Sequence, residues 1–207
     1  MYLKRTVYQK LMEWKESEKQ TTLEVTGARQ VGKTYIIKKF AEENFKNVIY
    51  INLFELSGQQ FQQCYVKATE WKPGEKRIEK PLHLAFQLYE EQFTDDADTV
   101  VIIDEIQESA EIYNRIREFT RQFQCKFIVT GSYLGRVLEP EFRFSSGDVT
   151  KIQVYTLSFE EFLEATSTAL YEQYLSGEEW TDEKFEQISE LYHVYTQIGG
   201  YPAVVQE

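Results

Sequence analysis

At 207 residues, with 42% hydrophobic and 28% charged side chains, the chain suits one α/β domain, or one domain and part of a second. No apolar run is long enough to span a bilayer, and Met1-Tyr2-Leu3-Lys4-Arg5 lacks the apolar stretch of a secretory signal. Most of the net charge of −11 lies in residues 155–207, where Lys184 stands against eleven acidic residues. Neither half carries the strongly basic stripe expected of a nucleic-acid groove. The acidic stretch reads as a solvated surface rather than a dock for a basic partner. Cys64 and Cys125 have no metal-ligand spacing and no Cys-x-x-Cys motif; two free thiols in a cytoplasmic protein are expected.

Residues 6–17 read as an opening helix, with Val7, Leu11 and Trp14 on one face. A short strand at 23–26 and a helix at 33–44 follow, the helix carrying Ile36, Ile37, Phe40 and Ala41 at helical spacing. Between them, Gly27-Ala28-Arg29-Gln30-Val31-Gly32-Lys33-Thr34 matches Gly-x4-Gly-Lys-[Ser/Thr], the loop whose backbone N–H groups surround nucleotide phosphates. A helix that begins at the loop's end points its unpaired N–H groups and positive dipole at a bound anion. Gly27 and Gly32 permit backbone angles and close approach that a Cβ would forbid. Lys33 is expected on the β- and γ-phosphates and the Thr34 hydroxyl on Mg²⁺. The candidate nucleotide contacts run from Gly27 through Tyr35. A chain of this length meets the pattern by chance on the order of once in a hundred, and the strand and helix on the correct sides lower that further.

Residues 48–53 form a second apolar strand, as in a parallel sheet covered on both faces. Glu55, just past its end, is a surface acid or helix cap. Residues 57–80 read as a short helix and a loop around Lys72-Pro73-Gly74-Glu75-Lys76-Arg77. Pro81 opens a helix reaching about residue 93. Residues 99–105, Thr-Val-Val-Ile-Ile-Asp-Glu, bring four apolar β-branched residues into two adjacent carboxylates. In a phosphate-loop protein the first acid, Asp104, holds Mg²⁺, and the second, Glu105, polarises the water that attacks the γ-phosphate.

Ile112, Ile116, Phe119 and Phe123 make a helical stripe, with Arg115, Arg117 and Arg121 facing solvent. A strand at 127–132 ends in Thr130 and Ser132, hydroxyls able to sense the γ-phosphate or to form a turn. After a loop containing Arg136 and Arg143, a strand runs over 151–155. Ser158 and Glu161 form a capping box. A last helix over 182–198 buries Phe185, Ile188, Leu191, Tyr192 and Tyr195, with Gly199-Gly200 as its C-cap and Pro202 beyond. His83 and His193 read as partnerless packing or surface residues. The expected division is an α/β core at 1–156 and a helical lid, or the start of a further domain, at 157–207. The chain stops soon after a fresh turn and reads as a fragment.

With these stretches placed, the chain resembles an AAA+-type P-loop ATPase. Within that group it is similar to a bacterial and archaeal family of ATP-binding proteins whose ATPase domain precedes a C-terminal domain of unknown function. The loop at 27–34 and the Asp104-Glu105 pair are general to such ATPases. Asp104-Glu105-Ile106-Gln107, Val129-Thr130-Gly131-Ser132, Leu157-Ser158-Phe159-Glu160-Glu161-Phe162-Leu163 and Gly199-Gly200-Tyr201-Pro202 carry the narrower likeness. The resemblance implies a parallel sheet with the phosphate-loop strand at its centre and the strand of Asp104 not beside it. It also implies ATP and Mg²⁺ as ligands, Lys33 on phosphate, Thr34 and Asp104 on the metal, and Glu105 activating water. Ser132 is the first choice of sensor and Thr130 the second. Many relatives carry Gly-Arg where this chain has Gly147-Asp148, and no arginine follows Arg143. Arg136 or Arg143 acting in a neighbouring subunit is the remaining candidate, so self-association and an unidentified protein partner enter as expectations. An ATP-binding switch with negligible hydrolysis is the alternative, and a phosphotransferase the second; a GTPase is disfavoured because Asn-Lys-x-Asp is missing.

Overall fold

In the computed structural model, the described residues are 3–70, 78–131, 141–142, 147–177 and 180–206. Five strands, β1 (Thr22–Thr26), β2 (Asn47–Asn52), β3 (Thr99–Asp104), β4 (Lys126–Thr130) and β5 (Val149–Gln153), form one sheet in the order β2-β3-β4-β1-β5. Every pairing is parallel. As expected, β4 separates β1 from β3. The expected central position of β1 is corrected: among the described residues it lies second from one edge, with β5 paired on its far side.

All six residues of β3 are buried, and their alternation divides the core. Val100 and Ile102 face α1 (Val7–Glu16) and α2 (Lys33–Asn44), where Leu11, Trp14, Ile36, Ile37 and Phe40 pack. Val101 and Ile103 face α3 (Leu56–Thr69), α4 (Pro81–Tyr89), α5 (Ala110–Tyr113) and α6 (Ile116–Gln122). On that side Phe86 meets the rings of Phe61, Phe93, Phe119, Phe123 and Phe127. Burial on both faces explains why β3 and β4 read as apolar runs rather than as alternations. Among the described residues no helix is long and apolar enough to cross a membrane.

α3 is longer than the short helix expected after residue 57, and the charged loop at 72–77 lies outside the described residues. α4 stops at Tyr89, since Glu90 is extended, yet Phe93 still reaches the core beyond the turn. The expected stripe at 112–123 is split between α5 and α6 by Asn114 and Arg115. Arg115 is not a free solvent arginine: it donates to the Tyr65 hydroxyl at 2.8 Å and to Glu118 at 2.9 Å. Nor is His83 partnerless. Its Nε2 lies 2.9 Å from Asp95 Oδ2, and its ring stacks on Phe123 with centroids 3.9 Å apart.

At the C-terminal end, Ser158 accepts from the Glu161 N–H and Glu161 caps the Ser158 N–H, starting α7 (Phe159–Thr166) as the capping box requires. α8 (Thr168–Ser176) has no counterpart in the sequence reading. α9 (Asp182–Ile198) ends at Gly199, with φ 77°, and α10 (Pro202–Val205) follows. The expected burial of the α9 stripe is corrected: no α9 residue is buried, and Phe185 and Tyr192 are 62% and 54% exposed. Helical periodicity shows which residues share a face, not whether anything covers it. α9 leans on α7 through Phe159, whose ring meets Tyr192 and Tyr195.

Candidate active site

The strands all end on one rim, where open parallel sheets gather ligands. A cleft of about 880 Å³ lies there, lined in part by Arg29, Gln30, Lys33, Thr34, Asp104 and Glu105. β1 runs into the loop at 27–32, and α2 starts at Lys33. Gly27 has φ 149°, and a Cβ there would sit 2.2 Å from the Val154 carbonyl oxygen, so the loop leaves the sheet at a point that tolerates no side chain. Gly32, with φ 87°, turns the chain into α2. Gln30 is also left-handed, at φ 65°, a conformation that costs a non-glycine residue about 1 kcal/mol. The loop is thus bent into a concave run of backbone before any ligand arrives.

Lys33 Nζ donates to the carbonyls of Gly27 at 2.8 Å and Ala28 at 2.6 Å. Burial lowers its pKa, Glu105 and Asp104 raise it in part, and Arg29 lowers it further, for a net shift downward. An anion entering the loop would add to the counter-charge that Glu105 and Asp104 supply in part. Thr34 Oγ1, on the first turn of α2, donates directly to Asp104 Oδ2 at 2.9 Å. The loop and the strand end are therefore joined by one hydrogen bond. Asp104 is 4% exposed and takes two more donors: the Glu105 N–H on Oδ1 at 2.9 Å and the Tyr50 hydroxyl on Oδ2 at 2.7 Å. Burial first, and then the carboxylate it donates to, push the Tyr50 phenol well above its usual range, so Tyr50 is the donor throughout the neutral range.

Glu105 adopts left-handed angles, φ 52° and ψ 46°, directly after the strand. The side-chain amide of Gln107 donates to its carboxylate. Gln107 is 6% exposed, and its Oε1 has no hydrogen-bond partner among the described residues. A cation at this rim would meet the Thr34 hydroxyl and the Asp104 carboxylate, hard oxygen donors that suit Mg²⁺. Among the described residues no cluster of three or more His, Cys, Asp or Glu side chains forms a complete metal cage.

Of the residues expected to bind nucleotide, Arg29, Gln30, Gly32, Lys33, Thr34 and Tyr35 line the cleft. Gly27 and Ala28 present their carbonyls to Lys33, and Val31 turns into the core at 1% exposure. Thr130 lies at the end of β4, 1% exposed, away from the cleft lining, with its Oγ1 unpartnered among the described residues. Ser132, Arg136 and Arg143 lie outside the described residues. Asp148 is buried at 7% and held by Arg121 at 2.8 and 3.2 Å. Arg5, Tyr50 and the α10 residues Pro202 and Ala203 are not among the expected site residues, yet they close the cleft from distant parts of the chain or, for Tyr50, sit behind Asp104. None of them left a signal in the sequence alone: Tyr50 shares a strand face with Asn52, but that Asn52 pairs with Asp104 is known only from the register.

The profile of the family described as AAA domain matches residues 19–163. An uncharacterized protein of Haemophilus influenzae is 24% identical over 185 residues, covering 87% of this chain and 39% of that protein. Among solved structures, a Walker-type ATPase of Pyrococcus abyssi superposes with a TM-score of 0.58 at 17% identity, over 99% of this chain and 66% of its own. A Signal Transduction ATPase with Numerous Domains from Pyrococcus horikoshii, with a tetratricopeptide repeat sensor, gives 0.53 at 16% identity, over 99% and 29%. The RuvB Holliday junction branch migration motor of Thermotoga maritima gives 0.50 at 16% identity, over 96% and 58%. The chain spans less than two thirds of each of these proteins, and the structural likenesses establish the P-loop α/β fold.

Proposed function

The chain belongs to the AAA domain family, and on that premise we propose that it binds ATP with Mg²⁺ and hydrolyses the γ-phosphate to drive a conformational change in a larger protein. The observation that carries this reading is the Thr34–Asp104 hydrogen bond of 2.9 Å, which brings the phosphate loop and the acidic strand end into one cleft. The loop N–H groups and the α2 N-terminus bind the phosphates, and Lys33 moves from the Gly27 and Ala28 carbonyls onto them. Thr34 and Asp104 would hold Mg²⁺, which would supply neutralisation of charge on the phosphate oxygens. Glu105 orients a water and accepts its proton as the water oxygen bonds to the γ-phosphorus and the bond to the β–γ bridging oxygen breaks, leaving ADP and inorganic phosphate. Ser132 is the proposed sensor, with Thr130 second. The wider reading takes residues 1–156 as the core and 157–207 as a helical lid or the start of a further domain, in a cytoplasmic, self-associating protein with a protein partner.

A second reading, an ATP-binding switch with negligible turnover, draws support from the Gln107 amide that engages Glu105. One set of measurements separates the two. Lys33→Ala is expected to lower ATP affinity on the order of 100-fold, the scale of one buried charge-assisted phosphate contact. Glu105→Gln is expected to bind ATP like the wild type and to release phosphate about 10²–10⁴-fold more slowly. Undiminished phosphate release by the Glu105→Gln protein removes the role given to that residue, and a wild type that binds without multiple turnovers establishes the switch.

A further inference from the structure

We propose that Tyr50 is a positioning residue for the metal-binding carboxylate, so that the gain in ATP affinity contributed by Mg²⁺ depends on its hydroxyl. The inference rests on the nucleotide and metal reading above. Three donors converge on Asp104: the Thr34 hydroxyl and Tyr50 hydroxyl on Oδ2, at 2.9 and 2.7 Å, and the Glu105 N–H on Oδ1 at 2.9 Å. A carboxylate offers about four acceptor sites, so one remains for a cation or a water on it. The donors differ in kind. The Thr34 oxygen must also face the cation, and the Glu105 N–H belongs to the left-handed residue next to Asp104 in the chain. Tyr50 comes from a third element, the neighbouring strand β2, and its backbone is fixed by the ladder opposite Ile102.

The ring is itself restrained. Lys38 Nζ, one helical turn beyond Thr34 on α2, lies over its face, 3.6 Å from the centroid. Asn52 pairs with Asp104 and Tyr50 with Ile102, so by the two-residue strand period Tyr50 and Asp104 rise from the same face of the sheet, toward α2. The phenol thus acts as a fixed strut between strand and carboxylate. Groups that orient a metal ligand in this way typically contribute 10–100-fold to metal affinity.

The test uses Tyr50→Phe, which keeps the ring and its contact with Lys38 and removes only the oxygen. Binding of a fluorescent ribose-labelled ATP is measured in excess Mg²⁺ and in excess EDTA for the wild type, Tyr50→Phe and Asp104→Asn. The wild type is expected to bind more tightly with Mg²⁺, and Asp104→Asn to lose that gain. Tyr50→Phe is expected to lose about tenfold of the Mg²⁺-dependent gain while its affinity in EDTA stays within about twofold. A merely structural role would instead weaken binding equally in both buffers, and that result overturns the proposal. So does a Tyr50→Phe protein with the wild-type gain while Asp104→Asn has lost it, an outcome that leaves the site reading intact. A wild type indifferent to Mg²⁺ overturns both.

Discussion

The Arg5–Glu161 pair joins three parts of the chain that are far apart in sequence. Both side chains are buried, at 7% and 6% exposure, with Arg5 Nε 3.2 Å from Glu161 Oε2. Glu161 also accepts from the Thr6 N–H at 2.6 Å, the Thr6 hydroxyl at 2.9 Å and the Ser158 N–H at 3.0 Å. Arg5 donates onward to the carbonyl of Val31 in the phosphate loop at 3.0 Å and to that of Tyr155 at 2.7 Å. Glu161→Ala leaves a buried guanidinium with two carbonyls and no counter-charge, and strips the acceptor from two backbone N–H groups. Breaking a buried pair on one side costs about 3–5 kcal/mol. Because Arg5 keeps its carbonyl partners beside an open cleft, the lower end, about 3 kcal/mol, is expected here. At about 2 kcal/mol per molar urea, that is a fall of roughly 1.5 M in the unfolding midpoint. The fluorescence of Trp14, 3% exposed in the core, reports the transition. Glu161→Gln, which retains an acceptor, is expected to lose less. A loss below about 1 kcal/mol for Glu161→Ala, the scale of an exposed pair, refutes the assignment of this pair as a buried junction.

Asp95 gives a prediction with a defined pH sign. Burial pushes its carboxyl up, but the N–H groups of Cys125 and Gln124 and the His83 ring outweigh burial and hold it below the usual range. Its stabilisation is therefore complete above the unfolded carboxylate value of about 4 and is lost as the pH falls from there through the lower folded value. Asp95→Ala is expected to cost about 2 kcal/mol at neutral pH, with the gap to the wild type narrowing in urea melts as acid is added; a gap independent of pH contradicts this. For Gly27→Ala, a Cβ 2.2 Å from the Val154 carbonyl must displace the loop from β5, so ATP affinity is expected to fall more than tenfold, on the order of a misplaced charge-assisted contact. Titration with labelled ATP checks it, and wild-type affinity would show that the loop moves freely there.

The parts of this molecule legible in the sequence are those set by local chemistry. α2 and α9 run over the residues their patterns indicate because each is bounded by a left-handed glycine, Gly32 before one and Gly199 after the other. The capping box at Ser158 and Glu161 is likewise a matter of three-residue spacing. The loop glycines and the Asp104-Glu105 pair declared the cleft for the same reason. What stayed hidden depends on register or on distant contacts. The Tyr50–Asp104 bond follows only once β2 and β3 are aligned, and the Arg5–Glu161 junction links residues 156 positions apart. The α9 face reads as core because its spacing is that of a buried helix, although Phe185 is 62% exposed.

The central claim is that the glycine-bent loop and the acidic strand end serve one ligand. A crystal structure of the chain with Mg²⁺ and a non-hydrolysable ATP analogue tests it most directly. The triphosphate is expected at the N-terminus of α2 with Lys33 on it, and the metal between Thr34 and Asp104 with Glu105 facing the γ-phosphate. A nucleotide bound outside this cleft, or a metal held by neither Thr34 nor Asp104, contradicts it.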